Sequence, residues 1–309
     1  MKKIAVVFYT FFISVFLNSE IKKISSFLEA TDALQKATSQ TIVAFDCDET
    51  IITSEPTVNF FHHPLSFALN DILFMLFELT KMSMHSIYSN NIYQLNSIYA
   101  QLTFMGSKVL INTKYIPMEE EIIKIIKDLQ TRKITTIALT DQPAKSFGCI
   151  PDMGEWRYKK LCDCEINFSE QFSSEKIVFT KFKSKWIYGQ PTFYKGLLMS
   201  AGQNKGKVLG EYLDILNSRY KKIIFFDDKE SNCINVENEA KKRNIPCLCF
   251  WYGFGKNQRK NKLNHEYIKF QLNFLKKYYF FINQENVGNF IKVSKQKSPI
   301  FQPKLLLCS

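Results

Sequence analysis

The sequence has few of the residues and patterns by which many metal-binding and nucleic-acid-binding proteins are recognised. It contains four histidines among 309 residues, and they lack the spacing of a metal site. No zinc-finger spacing, RNA-binding motif, internal repeat or low-complexity segment is present. We therefore expect a globular protein without a nucleic-acid partner, whose histidines are structural or surface residues: His62, His63, His85 and His265.

Long apolar runs are scarce as well. One occurs at the amino terminus, in "MKKIAVVFYTFFISVFLNSE", where two lysines precede fourteen uncharged residues from Ile4 to Leu17. This run is short for a membrane-spanning helix, and with the small polar residues after it the stretch is typical of a secretory signal peptide. We predict a signal peptide over residues 1–19, cleaved after Ser19, and export to the periplasm or beyond. A retained amino-terminal anchor is the alternative.

The cysteine pattern does not require a disulfide framework. The chain has eight cysteines, but it is long enough to bury a full core without disulfides. Cys162 with Cys164 and Cys247 with Cys249 form two C-x-C pairs, which could bind zinc together. The second pair lies in the apolar run "IPCLCFWYG", however, where cysteine behaves as a small buried hydrophobe.

Acidic residues are rare near the carboxyl terminus. Between Lys256 and Ser309 two glutamates stand against eleven lysines or arginines, and this segment carries most of the formal net charge of +12. Its apolar residues recur at helical spacing, which predicts a basic helical tail over residues 256–309, packed on the body with a solvated lysine face. Peripheral contact with an anionic membrane is the alternative.

The central part of the chain alternates short apolar runs with longer helical patterns. Such alternation predicts an α/β fold, a Rossmann-like three-layer sandwich with a mostly parallel central sheet. A helical stretch and a hairpin-like stretch interrupt the alternation. The predicted segments are a core over 20–54 and 109–255, a helical cap insertion over 55–108, and a second insertion with a β-hairpin over 148–201.

Polar residues end three of the predicted strands. They are Asp46 and Asp48, then Thr140, then Asp227 with Asp228. The carboxyl ends of parallel strands meet at one edge of a sheet, and residues two apart on an extended chain share a face, so Asp46 and Asp48 can converge. Carboxylates gathered there repel each other unless a cation joins them, and an oxygen-only cluster suits Mg²⁺. Each acid taken alone could instead cap a helix.

Four short stretches in chain order, "FDCDETI", "IALT", "NKG" and "FFDDKESN", resemble the four motifs of the haloacid dehalogenase-like (HAD) hydrolase superfamily. The resemblance spans about Thr41 to Gly253. The second aspartate of the first motif is similar to the phosphatase branches, and the signal peptide with "DETI" resembles the secreted class C acid phosphatases. The layout also resembles an uncharacterised exported HAD branch of intracellular bacteria.

The resemblance implies a role for each matching residue. Asp46 would be the nucleophile and form an aspartyl-phosphate, and Asp48 would be the general acid and base. Thr140 and Lys205 would bind the phosphate, with nearby Lys207 as a possible substitute for Lys205. The metal ligands would be Asp46, the main-chain carbonyl of Asp48, and Asp227. The supporting residues would be Thr50, Asp228, which shares or orients the metal shell, and Asn232.

The resulting hypothesis is an exported Mg²⁺-dependent phosphatase that hydrolyses a small phosphomonoester. A cap over the site would exclude water and macromolecules, which favours a small substrate. The alternative is a catalytically silent protein with the same fold that binds a partner in the envelope or in a host. Neither hypothesis assigns a role to Glu49, which we expect in the first turn of a helix or facing solvent.

Overall fold

The computed structural model describes residues 19–54, 100, 103–104, 106–185, 188–216 and 220–253. The predicted signal peptide, nearly all of the predicted cap and the whole basic tail lie outside these residues. Within the described ranges, no helix is both long enough and apolar enough to cross a membrane.

An eight-stranded sheet forms the centre of the molecule, with the strand order β1-β10-β9-β2-β5-β8-β7-β6. The pairs from β1 to β8 are parallel, and β7 and β6 extend this end of the sheet in antiparallel pairing. The strands are β1 Glu20–Ile24, β2 Thr41–Phe45, β3 Ile52–Ser54, β4 Tyr115–Pro117, β5 Thr135–Thr140, β6 Ile177–Val178, β7 Thr192–Tyr194, β8 Leu197–Met199, β9 Lys222–Asp227 and β10 Cys247–Tyr252.

Helices cover both faces of this sheet. The α-helices with described bounds are α1 Thr31–Gln35, α2 Glu121–Thr131, α3 Met153–Asp163, α4 Lys205–Ile215 and α5 Glu230–Lys242, and the 3-10 helices are Phe27–Ala30 and Ser169–Gln171. Residues 106–112 are helical as well. Successive residues of β2 belong to different hydrophobic clusters: Val43 packs in the cluster that includes α2 and α3, whereas Ile42 packs with α4 and α5. A strand covered on both faces must be apolar at every position. The predicted three-layer α/β fold is therefore confirmed.

Two features of the sheet were not expected from the sequence. The edge strand β1 begins at Glu20, directly after the predicted cleavage position, and pairs in parallel with β10. The two strand-like runs predicted to form a hairpin within residues 148–201 pair as β6 and β7, and the second run turns back to form β8, which also pairs with β5. The segment predicted as a second insertion thus supplies three strands of the main sheet.

A small antiparallel sheet lies beside the first predicted motif. It pairs β3 with β4, so that Ser54 and Tyr115 are opposite each other. The Met118 N–H also donates to the Ile51 carbonyl at 2.9 Å. These contacts fix the chain that follows Asp46 and join it to the chain that leads into α2.

Candidate active site

A tight loop follows β2 and sets the direction of the first two acidic side chains. The Asp46 N–H donates to the Phe226 carbonyl at 2.8 Å, which extends the pairing of β2 with β9 by one residue. The Cys47 carbonyl then accepts from the N–H groups of Ile51 and Ile52, both at 3.0 Å. Cys47 is fully buried, as predicted, and Glu49 lies in the loop at a φ of 66° and not in a helix.

A buried lysine connects the ends of β2 and β9. Lys205 is the first residue of α4 and is only 3% exposed. Its Nζ donates to Asp46 Oδ1 at 2.5 Å and to Asp227 Oδ2 at 2.7 Å. Lys207 is exposed, so of the two lysines named from the sequence it is Lys205 that contacts the acids.

Three carboxylates gather around this lysine. Asp46, Asp227 and Asp228 each place a carboxylate oxygen within 4.8 Å of the other two. Three carboxylates against the single ammonium of Lys205 leave an excess of negative charge, and the donors are all oxygens, which is the donor set that Mg²⁺ prefers. The residues therefore fit a hard divalent cation, and Asp228 is the third carboxylate of the set.

The environment of the cluster shifts two of its pKa values. Burial raises the pKa of Asp46 well above its usual value, and Asp227 and Asp228 add to this effect, while Lys205 opposes it. For Lys205, burial alone lowers the pKa, but the attraction of Asp227 and Asp46 outweighs it and the pKa is raised. The lysine therefore stays charged, and a divalent cation bound beside it would further oppose the effect of burial on the pKa of Asp46.

The predicted supporting residues orient these acids. The Thr50 hydroxyl donates to Asp46 Oδ2 at 3.2 Å and accepts from the Asp228 N–H at 3.1 Å. The Asn232 side-chain amide donates to both oxygens of Asp227, at 2.9 and 3.0 Å. The N-cap of α5 is Lys229, so capping of this helix does not account for Asp227 and Asp228.

Thr140 ends β5, the strand next to β2. Its side chain is 1% exposed, and its hydroxyl has no hydrogen-bond partner within the described part of the chain. A buried hydroxyl without a partner is costly. It therefore suits a position at which an oxygen atom of a ligand accepts the bond.

Asp48 makes a separate contact. Its two oxygens accept from Nη1 and Nη2 of Arg157 at 2.9 and 2.8 Å, and its carboxylate is not in the cluster of three. Asp46 and Asp48 therefore contact different cations, Lys205 and Arg157, and the convergence of their two carboxylates stays a prediction. The metal contact predicted for the Asp48 carbonyl stays a prediction.

Arg157 was not identified from the sequence. It stands in α3, in the stretch "EWRYKK", among other basic residues on a helix with a polar face. The local sequence does not distinguish Arg157 from an arginine that is exposed to solvent. Only the fold brings it to the loop after β2, 109 residues away along the chain.

Comparison with known proteins identifies the family of the chain and gives little further information about its function. Residues 23–288 match the family described as "Protein of unknown function (DUF2608)". An uncharacterised protein of Rickettsia prowazekii (strain Madrid E) is 23% identical over 198 residues, and the match covers 64% of each chain, so it spans less than two thirds of that relative. The crystal structure of a HAD family hydrolase from Salmonella enterica subsp. enterica serovar Typhi aligns with 71% of each chain at 12% identity, with a TM-score of 0.33.

Proposed function

Because the chain belongs to the DUF2608 family of proteins of unknown function, we propose its activity from the site itself: it is a Mg²⁺-dependent phosphatase of the HAD type, which hydrolyses a small phosphomonoester through an aspartyl-phosphate on Asp46. The observation that supports this proposal is the buried contact of Lys205 with Asp46 and Asp227, beside the carboxylate of Asp228. A buried carboxylate beside a cation and two further acids suits charge neutralisation during phosphoryl transfer.

In the first step a carboxylate oxygen of Asp46 attacks phosphorus. An O–P bond forms to Asp46 while the bond from phosphorus to the leaving oxygen breaks, and Asp48 transfers its proton to that oxygen. Lys205 neutralises charge on the phosphoryl group, and the Thr140 hydroxyl donates to one of its oxygens. The products of this step are the free alcohol, the acyl phosphate on Asp46 and the Asp48 carboxylate.

In the second step water attacks the same phosphorus atom. Asp48 accepts a proton from the water, and the bond between phosphorus and the Asp46 oxygen breaks, which releases inorganic phosphate and restores both carboxyl groups to their starting states. Asn232 and Thr50 keep Asp227 and Asp46 oriented through both steps. When bound by Asp46, Asp227 and Asp228, Mg²⁺ supplies the positive charge that lets an anionic nucleophile approach an anionic phosphate.

The proposal is tested with purified protein and para-nitrophenyl phosphate. We expect hydrolysis with Mg²⁺, a return to background on chelation with EDTA, and loss of activity in Asp46→Asn. The matched control is Asp128→Asn, which alters a largely exposed aspartate on α2 that pairs with Arg132; its activity should equal that of the wild type. Hydrolysis that persists in Asp46→Asn would contradict the aspartyl-phosphate route.

A further inference from the structure

Arg157 is an arginine held rigidly inside the protein. It is 4% exposed, and its guanidinium lies 5.4 Å from the ring of Tyr115 and 5.0 Å from that of Trp156. Its Nε donates to Gln142 Oε1 at 2.9 Å, and the Gln142 amide in turn donates to the Met153 carbonyl at 3.3 Å. The guanidinium thus packs against two aromatic rings, which contact each other edge to face, and is hydrogen-bonded on one edge.

The other edge of the guanidinium holds Asp48. Both oxygens of the carboxylate are bound in a two-bond pairing, which restricts its orientation far more than a single contact does. The Asp48 side chain is nevertheless 48% exposed, while that of Arg157 is 4% exposed. The carboxyl group of Asp48, two residues after Asp46, is therefore exposed to solvent while the buried Arg157 holds it in a fixed orientation.

Packing alone does not account for this arrangement. A buried arginine is expensive to desolvate, and an apolar side chain of similar volume often serves stability equally well. Within the described residues, the guanidinium of Arg157 contacts the side chains that support it, Gln142, Tyr115 and Trp156, and on its other edge Asp48. The contacts that hold Arg157 in place therefore orient its guanidinium toward the carboxylate of Asp48.

Building on the proposed function, we propose that Arg157, oriented by Gln142, is a positioning residue that fixes the carboxyl group of Asp48 for proton transfer with the leaving oxygen. One Asp48 oxygen stays on the guanidinium while the other leaves it and carries the proton. That proton passes to the leaving oxygen as the bond from phosphorus to this oxygen breaks, and Asp48 recovers a proton from water in the second step. Arg157 gains and loses no proton.

The effect of replacing Arg157 on catalysis should depend on the leaving group of the substrate. The para-nitrophenolate ion leaves readily without a proton, whereas the phenolate ion is a poorer leaving group and gains more from a general acid. The parameter kcat/KM reports the step in which the leaving group departs. A misplaced Asp48 therefore lowers kcat/KM for phenyl phosphate more than for para-nitrophenyl phosphate, while an unspecific loss of structure lowers both equally.

The experiment compares these two substrates in wild type, Arg157→Gln and Arg157→Lys, with Arg132→Gln as control. Arg132 pairs with Asp128 and donates to three main-chain carbonyls of the segment 34–37, so its loss removes a comparable set of bonds away from Asp48. We expect kcat/KM for phenyl phosphate to fall about 10- to 100-fold more than for para-nitrophenyl phosphate in Arg157→Gln. Arg157→Lys should show a smaller selective loss, and Arg132→Gln none.

The possible outcomes separate this inference from the function on which it rests. If the wild type hydrolyses neither substrate, the proposed function fails and the inference with it. If the wild type is active but the folded Arg157 variants lose both activities equally, or lose neither, only the inference is overturned. If Arg157→Gln does not fold, as judged by circular dichroism, Arg157→Lys decides between these outcomes. Asp48→Asn should show the same selectivity, and adding Arg157→Gln to it should not increase it.

Discussion

At the scale of single residues, the site depends on one buried ammonium group. Lys205 contacts Asp46 and Asp227 while almost wholly removed from water. Bringing all three ions out of water costs several kcal/mol per ion, and their mutual attraction offsets this only while every partner is present. Lys207, one half-turn along the same helix, is exposed and has no such role.

Removal of this charge should be costly in the absence of metal. Lys205→Gln leaves the Asp46 and Asp227 carboxylates uncompensated, so we expect its free energy of unfolding in EDTA to fall by about 3–5 kcal/mol. Lys207→Gln, an exposed change on the same helix, should stay within about 0.5 kcal/mol of the wild type. Denaturant unfolding followed by circular dichroism measures both values. Equal stabilities for the two variants would contradict the buried ion pairs.

At the scale of elements, two helices deliver the cationic residues, and each begins at a side-chain cap. Asn204 caps α4 by accepting from the Lys207 N–H at 3.0 Å. Asp152 caps α3 by accepting from the N–H groups of Gly154 and Glu155, at 3.0 and 3.1 Å. These caps fix where each helix begins, and thereby the positions of Lys205 and Arg157 along their helices.

The cap of α3 should make stability depend on pH. Burial alone would raise the pKa of Asp152, but hydrogen bonds from Lys176 and from the Glu155 and Gly154 N–H groups outweigh it, and the pKa is lowered. A carboxyl group with a lowered folded-state pKa stabilises the protein above its unfolded-state value, about 3.9, and this contribution is lost as the pH falls through the folded-state value.

Two variants separate the charge of this cap from its hydrogen bonds. Asp152→Ala removes both, and we expect a loss of about 0.5–2 kcal/mol near neutral pH. Asp152→Asn keeps a good capping group without the charge, so its deficit against the wild type should shrink as the pH drops below about 4. Thermal unfolding at a series of pH values measures this. A deficit that does not change with pH would show that the charge has no part in the cap.

At the scale of the whole molecule, the site exists because of the strand order. The adjacent strands β9, β2 and β5 are parallel, so their carboxyl ends lie at one edge of the sheet, where ligands bind in open α/β folds. Asp227, Asp46 and Thr140 are the last residues of β9, the residue after β2 and the last residue of β5. Residues far apart along the chain are thereby collected in one place.

A bound divalent cation should therefore stabilise the entire fold. Mg²⁺ at 100 times its Kd would add about 2.7 kcal/mol to the free energy of unfolding, which raises the thermal midpoint. The increase should be lost or greatly reduced in Asp228→Asn, whose carboxylate belongs to the cluster, and should persist in Asp128→Asn. Sodium chloride at equal ionic strength controls for screening. If Mg²⁺ leaves the midpoint of the wild type unchanged, the cluster does not bind it.

The sequence by itself determined the fold class and the residues at the strand ends. Apolar runs bounded by polar residues and breakers are local signals, and they predicted β2, β5, β9 and β10 together with the polar residues at the ends of β2, β5 and β9. They also predicted that Cys247 and Cys249 are buried in a strand, which is confirmed. A continuous apolar run predicts a buried strand because a strand that is covered on both faces needs an apolar residue at every position.

The tertiary structure alone decided which residues meet. The short strand β1 is mostly exposed and carries three charged residues among five, which does not mark it as part of a parallel sheet, and only its pairing with β10 places it there. The contact of Arg157 with Asp48 and the entry of Asp228 into the carboxylate cluster depend likewise on how distant elements pack. Such contacts leave no periodic trace in the sequence, because an arginine bound to a carboxylate and an arginine in water suit the same helix equally well.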